Sequence, residues 1–75
     1  MTPVPLNQLL PGQSGRVVSL QTGDAARLDR LGAFGLVPGC RVRLLQASPA
    51  LIFMVEETEI AVDLAVAAQI LVQVA

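Results

Sequence analysis

The stretch Arg30–Cys40, RLGAFGLVPGC, places Gly32, Gly35 and Gly39 within eight residues, with Pro38 beside the last. Two kinds of structure ask for glycines at such spacing: a loop wrapped around a phosphate, or a helix end followed by a tight turn. A phosphate loop of the Gly-Lys-Ser/Thr type needs a lysine, and the chain has none. A dinucleotide fingerprint sets its glycines ahead of a helix, whereas here the helical periodicity precedes them. Gly35 falls where a left-handed helix cap favours glycine. Pro38 and Gly39 suit the two central positions of a type II turn. Gly32 lies inside the periodic segment, where its missing side chain would let a second backbone approach. The stretch therefore reads as a helix stop and a turn into a strand at Cys40.

Working outward, TGDAARLDRLGAFG has Leu28 and Leu31 at i and i+3, then Phe34, behind Asp24 as a helix N-cap. Asp24 and Arg27 are spaced to pair on its exposed side. Downstream, CRVRLLQAS alternates as a strand, with Val42 and Leu44 inward and Arg41 and Arg43 outward. GRVVSLQ is a second strand, with Val18 and Leu20 on one side and Val17 and Ser19 on the other. ALIFMVEE and TEIAVD give two more, joined by a turn near Glu57 and Thr58. In PLNQLLPG, Leu6, Leu9 and Leu10 share one face of a helical turn that ends at Pro11-Gly12. DLAVAAQ permits a short helical turn capped by Asp63, and in the closing strand Ile70, Val72 and Val74 alternate with Leu71 and Gln73. The pattern predicts a mainly β fold: a small barrel of about five antiparallel strands with one helix and short helical turns. Closing the sheet would remove exposed edges from a short chain.

A chain of 75 residues is one domain, since its halves could not each bury a core. Apolarity has to supply the stability: 53% of residues are hydrophobic, and Cys40, the only cysteine, leaves no intrachain disulfide. Aromatics are limited to Phe34 and Phe53. A net charge of −1 argues against a nucleic-acid binder, which would display a basic face. All five basic residues are arginines: Arg16, Arg27, Arg30, Arg41 and Arg43. With only 15% of residues charged, apolar patches are expected at the surface, where they mark contact sites. MTPVPLNQLL lacks the basic start and apolar run of a signal peptide. ALIFMV falls far short of the roughly 20 residues that span a bilayer. The chain reads as cytosolic.

Catalytic chemistry is missing. There is no histidine, the commonest general base and metal ligand. Ser14, Ser19 and Ser48 thus have no activating partner of that kind. Cys40 belongs to no CxxC motif and reads as a small buried hydrophobe. Glu56, Glu57, Glu59 and Asp63 form one acidic cluster. Glu57 and Glu59 could flank a hard cation only if no turn intervened; a solvated hairpin tip that discourages edge pairing is the plainer reading. No catalytic, cofactor-binding or metal-ligating residue is assigned.

The order of these pieces resembles the FeoA family of ferrous iron transport accessory proteins. The carrying residues are Arg-Leu-x-x-Phe-Gly-Leu-x-Pro-Gly (Arg30 to Gly39) before an alternating Val-x-Leu strand, and the opening LNQLLPGQSGRVVSL. ASPA, and then EIAVDLAVAAQILV with its Ala-containing turn, complete the likeness from Leu6 to Val74. The resemblance implies an SH3-like barrel, no enzyme activity, and a cytosolic protein that binds and modulates FeoB, a membrane ferrous iron transporter with a GTP-binding domain. A similar barrel ends metal regulators of the diphtheria-toxin-repressor type, behind a DNA-binding domain. Two departures make one edge more acidic. The hairpin is EETE where relatives often carry glycine and basic residues, and Asp63 stands where arginine is common.

Two functions follow as expectations. The first is a protein–protein binding module for the FeoB-type transporter, with contacts through Leu36, Val37, Arg41, Arg43, Ile52 and Met54. Leu36 and Val37 are lifted by the turn. Ile52 and Met54 form the second apolar face of LIFMV beside the two arginines. The alternative is a metal- or ligand-sensing domain using Glu56, Glu57, Glu59 or Asp63. A receptor for proline-rich peptides fits poorly, because such grooves are lined by aromatics and the chain lacks Trp and Tyr. The apolar surface and low charge also predict self-association into a homo-oligomer.

Overall fold

Each strand meets its neighbours antiparallel. In the computed structural model, which describes residues 2–75, the strands are β1 (Val4–Pro5), β2 (Ser14–Leu20), β3 (Arg41–Gln46), β4 (Leu51–Val55), β5 (Thr58–Val62) and β6 (Ile70–Val74). A 3-10 turn, Leu6–Gln8, follows β1; helix α1 (Ala25–Ala33) precedes β3, and helix α2 (Leu64–Ala67) precedes β6. The strands form one sheet in the order β1-β6-β2-β3-β4-β5.

This corrects the expected barrel in two respects. Among the described residues there are six strands rather than about five, and β1 and β5 are the two ends of a sheet that does not close. β1 contributes only Val4 opposite Val72 and Pro5 opposite Leu71, and a proline has no N–H to give to a further strand. The sheet curls at irregularities between Val17 and Ser19 and between Leu44 and Gln46. The first irregularity also corrects the alternation of β2: Val17 is buried and Leu20 packs on the core, while Val18 is exposed. In the 3-10 turn, three residues per turn bring Leu6 and Leu9 to one side. Both are buried and Leu10 is exposed, contrary to the expected three-leucine face.

The concave side of the sheet holds Val42 and Leu44 of β3, Leu51, Phe53 and Val55 of β4, and Ile70 and Val72 of β6, all essentially free of solvent. Each such side chain contributes roughly 1.5–3 kcal/mol by leaving water. No polar residue lies in the buried set of the described residues. Helix α1 joins through Leu31 alone; Leu28 and Phe34 stay exposed. Its N-cap is Asp24, whose carboxylate accepts the Arg27 backbone N–H at 3.1 Å. The expected Asp24–Arg27 pairing is thus a helix cap made by the Arg27 main chain. Asp63 caps α2 in the same way, accepting the Val66 N–H at 2.8 Å.

The decisive stretch is a helix stop and a turn. Gly35 has φ +92°, its N–H donates to the Gly32 carbonyl at 2.9 Å, and the Leu36 N–H donates to the Leu31 carbonyl at 3.1 Å. These two bonds make a Schellman cap. Gly39 has φ +96°, and the Cys40 N–H donates to the Val37 carbonyl at 3.0 Å, closing the turn. Gly32 faces open space rather than another backbone, so the expected close approach does not occur. Cys40 is only half-buried, packed against the core's margin. The β4–β5 turn is Glu56–Glu57, one residue earlier than expected, because Val55 pairs with Thr58.

Candidate interaction face

Strand alternation sends Arg41 and Arg43 to the convex, solvent side of β3. The pairing of β2 on β3 then decides what stands beside them. Arg16 lies directly opposite Arg41, and Ser14 opposite Arg43. On the other side of β3, Met54 of β4 lies opposite Arg43. Two long-range bonds at the Pro38–Gly39 turn hold β2 at this point. The Gly39 N–H donates to the Val17 carbonyl at 2.7 Å, and the Val17 N–H to the Cys40 carbonyl at 2.9 Å. The Arg16 guanidinium donates from Nη1 to the Gly39 carbonyl at 3.0 Å, which holds that side chain toward the turn.

Two shallow clefts meet at Arg41. One, of about 400 Å³, is bordered by Ser14, Arg41, Arg43, Met54 and Glu56. The other, of about 410 Å³, runs between Arg16, Arg41, Gln73 and Ala75. The face combines three guanidiniums with one thioether, the Glu56 carboxylate at its border and a few neutral polar groups.

Arg41, Arg43 and Met54, selected from sequence, therefore border one cleft. Ile52 is half-buried and belongs to the same face of β4. Val37 is 47% exposed in the adjoining turn. Leu36 is corrected: it is fully buried, drawn under the helix end by the Schellman cap, and belongs to the core. Arg16 is the residue that sequence reasoning missed. Its outward position follows from alternation in β2, but its neighbour Arg41 depends on register.

The acidic residues do not assemble. Glu56 and Glu57 occupy the turn, Glu59 lies on β5, and the Asp63 carboxylate caps α2. Among the described residues, no group of three or more Cys, Asp or Glu side chains could hold a metal ion. A further cleft, of about 300 Å³, separates α1 from β5 and α2 at Arg27, Arg30, Phe34 and Val62. Among the described residues, no helix is long and apolar enough to cross a membrane.

The sequence matches the FeoA domain family over residues 4–74. Among solved structures, the chain is similar to an iron uptake regulatory protein, FeoA, with 26% identity, a TM-score of 0.86 and full coverage of both chains. It is also similar to Stenotrophomonas maltophilia FeoA, crystallised with zinc and described as a prokaryotic SH3 domain protein. The identity there is 29% and the TM-score 0.79, covering 97% of this chain and 89% of that one. The T. acidophilum IdeR structure shares the fold, with a TM-score of 0.89 at 23% identity, but the present chain spans only 35% of it. No curated protein sequence matches.

Proposed function

The chain belongs to the FeoA family, and from that premise we propose that it is an accessory protein of ferrous iron uptake. It binds the cytosolic GTP-binding part of a FeoB-type membrane transporter and modulates it by contact, without catalysis of its own. It acts in the cytoplasm, at the inner face of the membrane only through that transporter. The observation that carries this reading is the clustering of Arg16, Arg41 and Arg43 with Met54 on the outer side of the sheet. An apolar anchor framed by arginines is the composition of a protein contact surface. The test is a titration of the transporter's soluble domain with the intact chain. Saturable binding supports the proposal; no binding by a folded protein at high concentration contradicts it.

The alternative, metal sensing through Glu56, Glu57, Glu59 and Asp63, draws on the zinc-bound relative and the IdeR-like fold. It lacks a converging ligand set among the described residues. Stoichiometric heat on adding Fe²⁺ or Mn²⁺ would revive it.

A further inference from the structure

We propose that the Arg16–Arg41–Arg43 face receives an acidic, extended segment of a protein partner, with an apolar residue of that segment resting on Met54. The inference rests on the partner-binding reading above and adds the chemistry of the partner to it.

The arginine face carries a local cost. Arg16 and Arg41 are direct cross-strand partners, and like charges in that position repel. Arg43 is two residues further along the same outward row, about 7 Å away. Three of the five basic residues of a chain with net charge −1 are therefore gathered on one small face, while Arg27 and Arg30 lie on α1. Among the described residues, the one hydrogen bond made by an arginine side chain is that of Arg16 to the neutral Gly39 carbonyl. None of the three makes a hydrogen bond to a carboxylate among the described residues. Planar guanidiniums in a row match carboxylates, which each can grip with two parallel N–H bonds.

The surroundings distinguish a short acidic peptide from a larger polyanion. Glu56 borders the Arg43 cleft, and Glu59 lies opposite Met54. These carboxylates flank the arginines on the β4–β5 side, where a nucleic-acid backbone or an anionic membrane would meet repulsion. A segment a few residues long can lay its acidic side chains along the β2–β3 side and set only its apolar residue on Met54, beside those carboxylates. Ser14 opposite Arg43 and Gln73 opposite Arg16 offer neutral hydrogen-bonding groups to its backbone.

The test uses the full chain labelled with ¹⁵N and a synthetic peptide of alternating glutamate and serine with a central leucine. Amide shifts are expected at residues 14–16, 41–43 and 54, and should collapse near 1 M salt, where the Debye length is roughly 3 Å. The R16Q/R41Q/R43Q variant should lose the shifts, and the R27Q/R30Q variant should keep them. Thermal melting checks that both remain folded. Shifts centred on α1, no shifts at all, or stronger binding to anionic vesicles or duplex DNA would each overturn the proposal. If the transporter domain fails to bind while the peptide maps to this face, the functional reading fails and this inference stands. If the transporter domain binds R16Q/R41Q/R43Q as well as the unmodified chain, this inference fails and the functional reading stands.

Discussion

The backbone N–H of Leu36 donates to the carbonyl of Leu31 at 3.1 Å, and both leucine side chains are buried in the same core. That bond ends α1 and redirects the chain into the Val37–Cys40 turn. Gly39 in turn bonds to Val17, and Arg16 to Gly39. The helix stop is thus tied, through a few hydrogen bonds, to the point where Arg16 meets Arg41.

Replacing Gly35 with alanine should lower stability by about 1–2 kcal/mol, the cost of holding an L-residue in left-handed backbone. The added Cβ would meet the Val55 Cγ1 at 3.7 Å, an ordinary contact, so the loss comes from the φ of +92° and not from a clash. For a domain of this size, each 1 kcal/mol corresponds to roughly 4–8 °C in melting temperature. A Gly35→Ala protein melting with the wild type would contradict the cap.

Leu36→Ala should cost about 2–5 kcal/mol through the cavity it leaves. Val37→Ala, at a half-exposed position, should change stability by less than about 0.5 kcal/mol. Total stability for a chain this short is on the order of 4–11 kcal/mol, so the Leu36 variant approaches the limit of folding. Urea unfolding of the two variants separates packing from surface contact; equal midpoints would refute the assignment of Leu36 to the core.

Glu56 has φ +53° in the two-residue β4–β5 turn, a conformation that favours glycine. Glu56→Gly should therefore raise stability by about 1 kcal/mol by relieving the backbone. An unchanged or lower denaturation midpoint would show that the turn does not constrain the residue in solution.

What the sequence revealed follows the range of the interactions. The Gly35 cap, the Pro38–Gly39 turn and the Asp24 and Asp63 caps are local needs, satisfied by residues within five positions, and each is legible from residue type. The outward placement of Arg41 and Arg43 needs only the alternation of one strand. The neighbourhood of Arg16 is different. It depends on the register of β2 against β3, held by bonds between Val17 and the distant Gly39 and Cys40. β1 escaped detection because two residues cannot display a period. Leu36 reads as a contact residue because it sits between Gly35 and Pro38, and the tertiary effect of the Schellman cap is what buries it. The barrel expectation took its logic from the exposure of edges, whereas the sheet ends openly at β1 and β5.

The most direct test of the central claim is a calorimetric titration of the transporter's soluble GTP-binding part with the unmodified chain and with R16Q/R41Q/R43Q. The expected result is saturable binding by the former and roughly tenfold or greater weakening in the latter, as lost charge pairs at an interface entail. The variant's melting temperature should stay close to that of the unmodified chain, because relief of like-charge repulsion offsets the loss of the exposed Arg16–Gly39 bond. Equal affinity for the two proteins would contradict the claim that this face makes the contact.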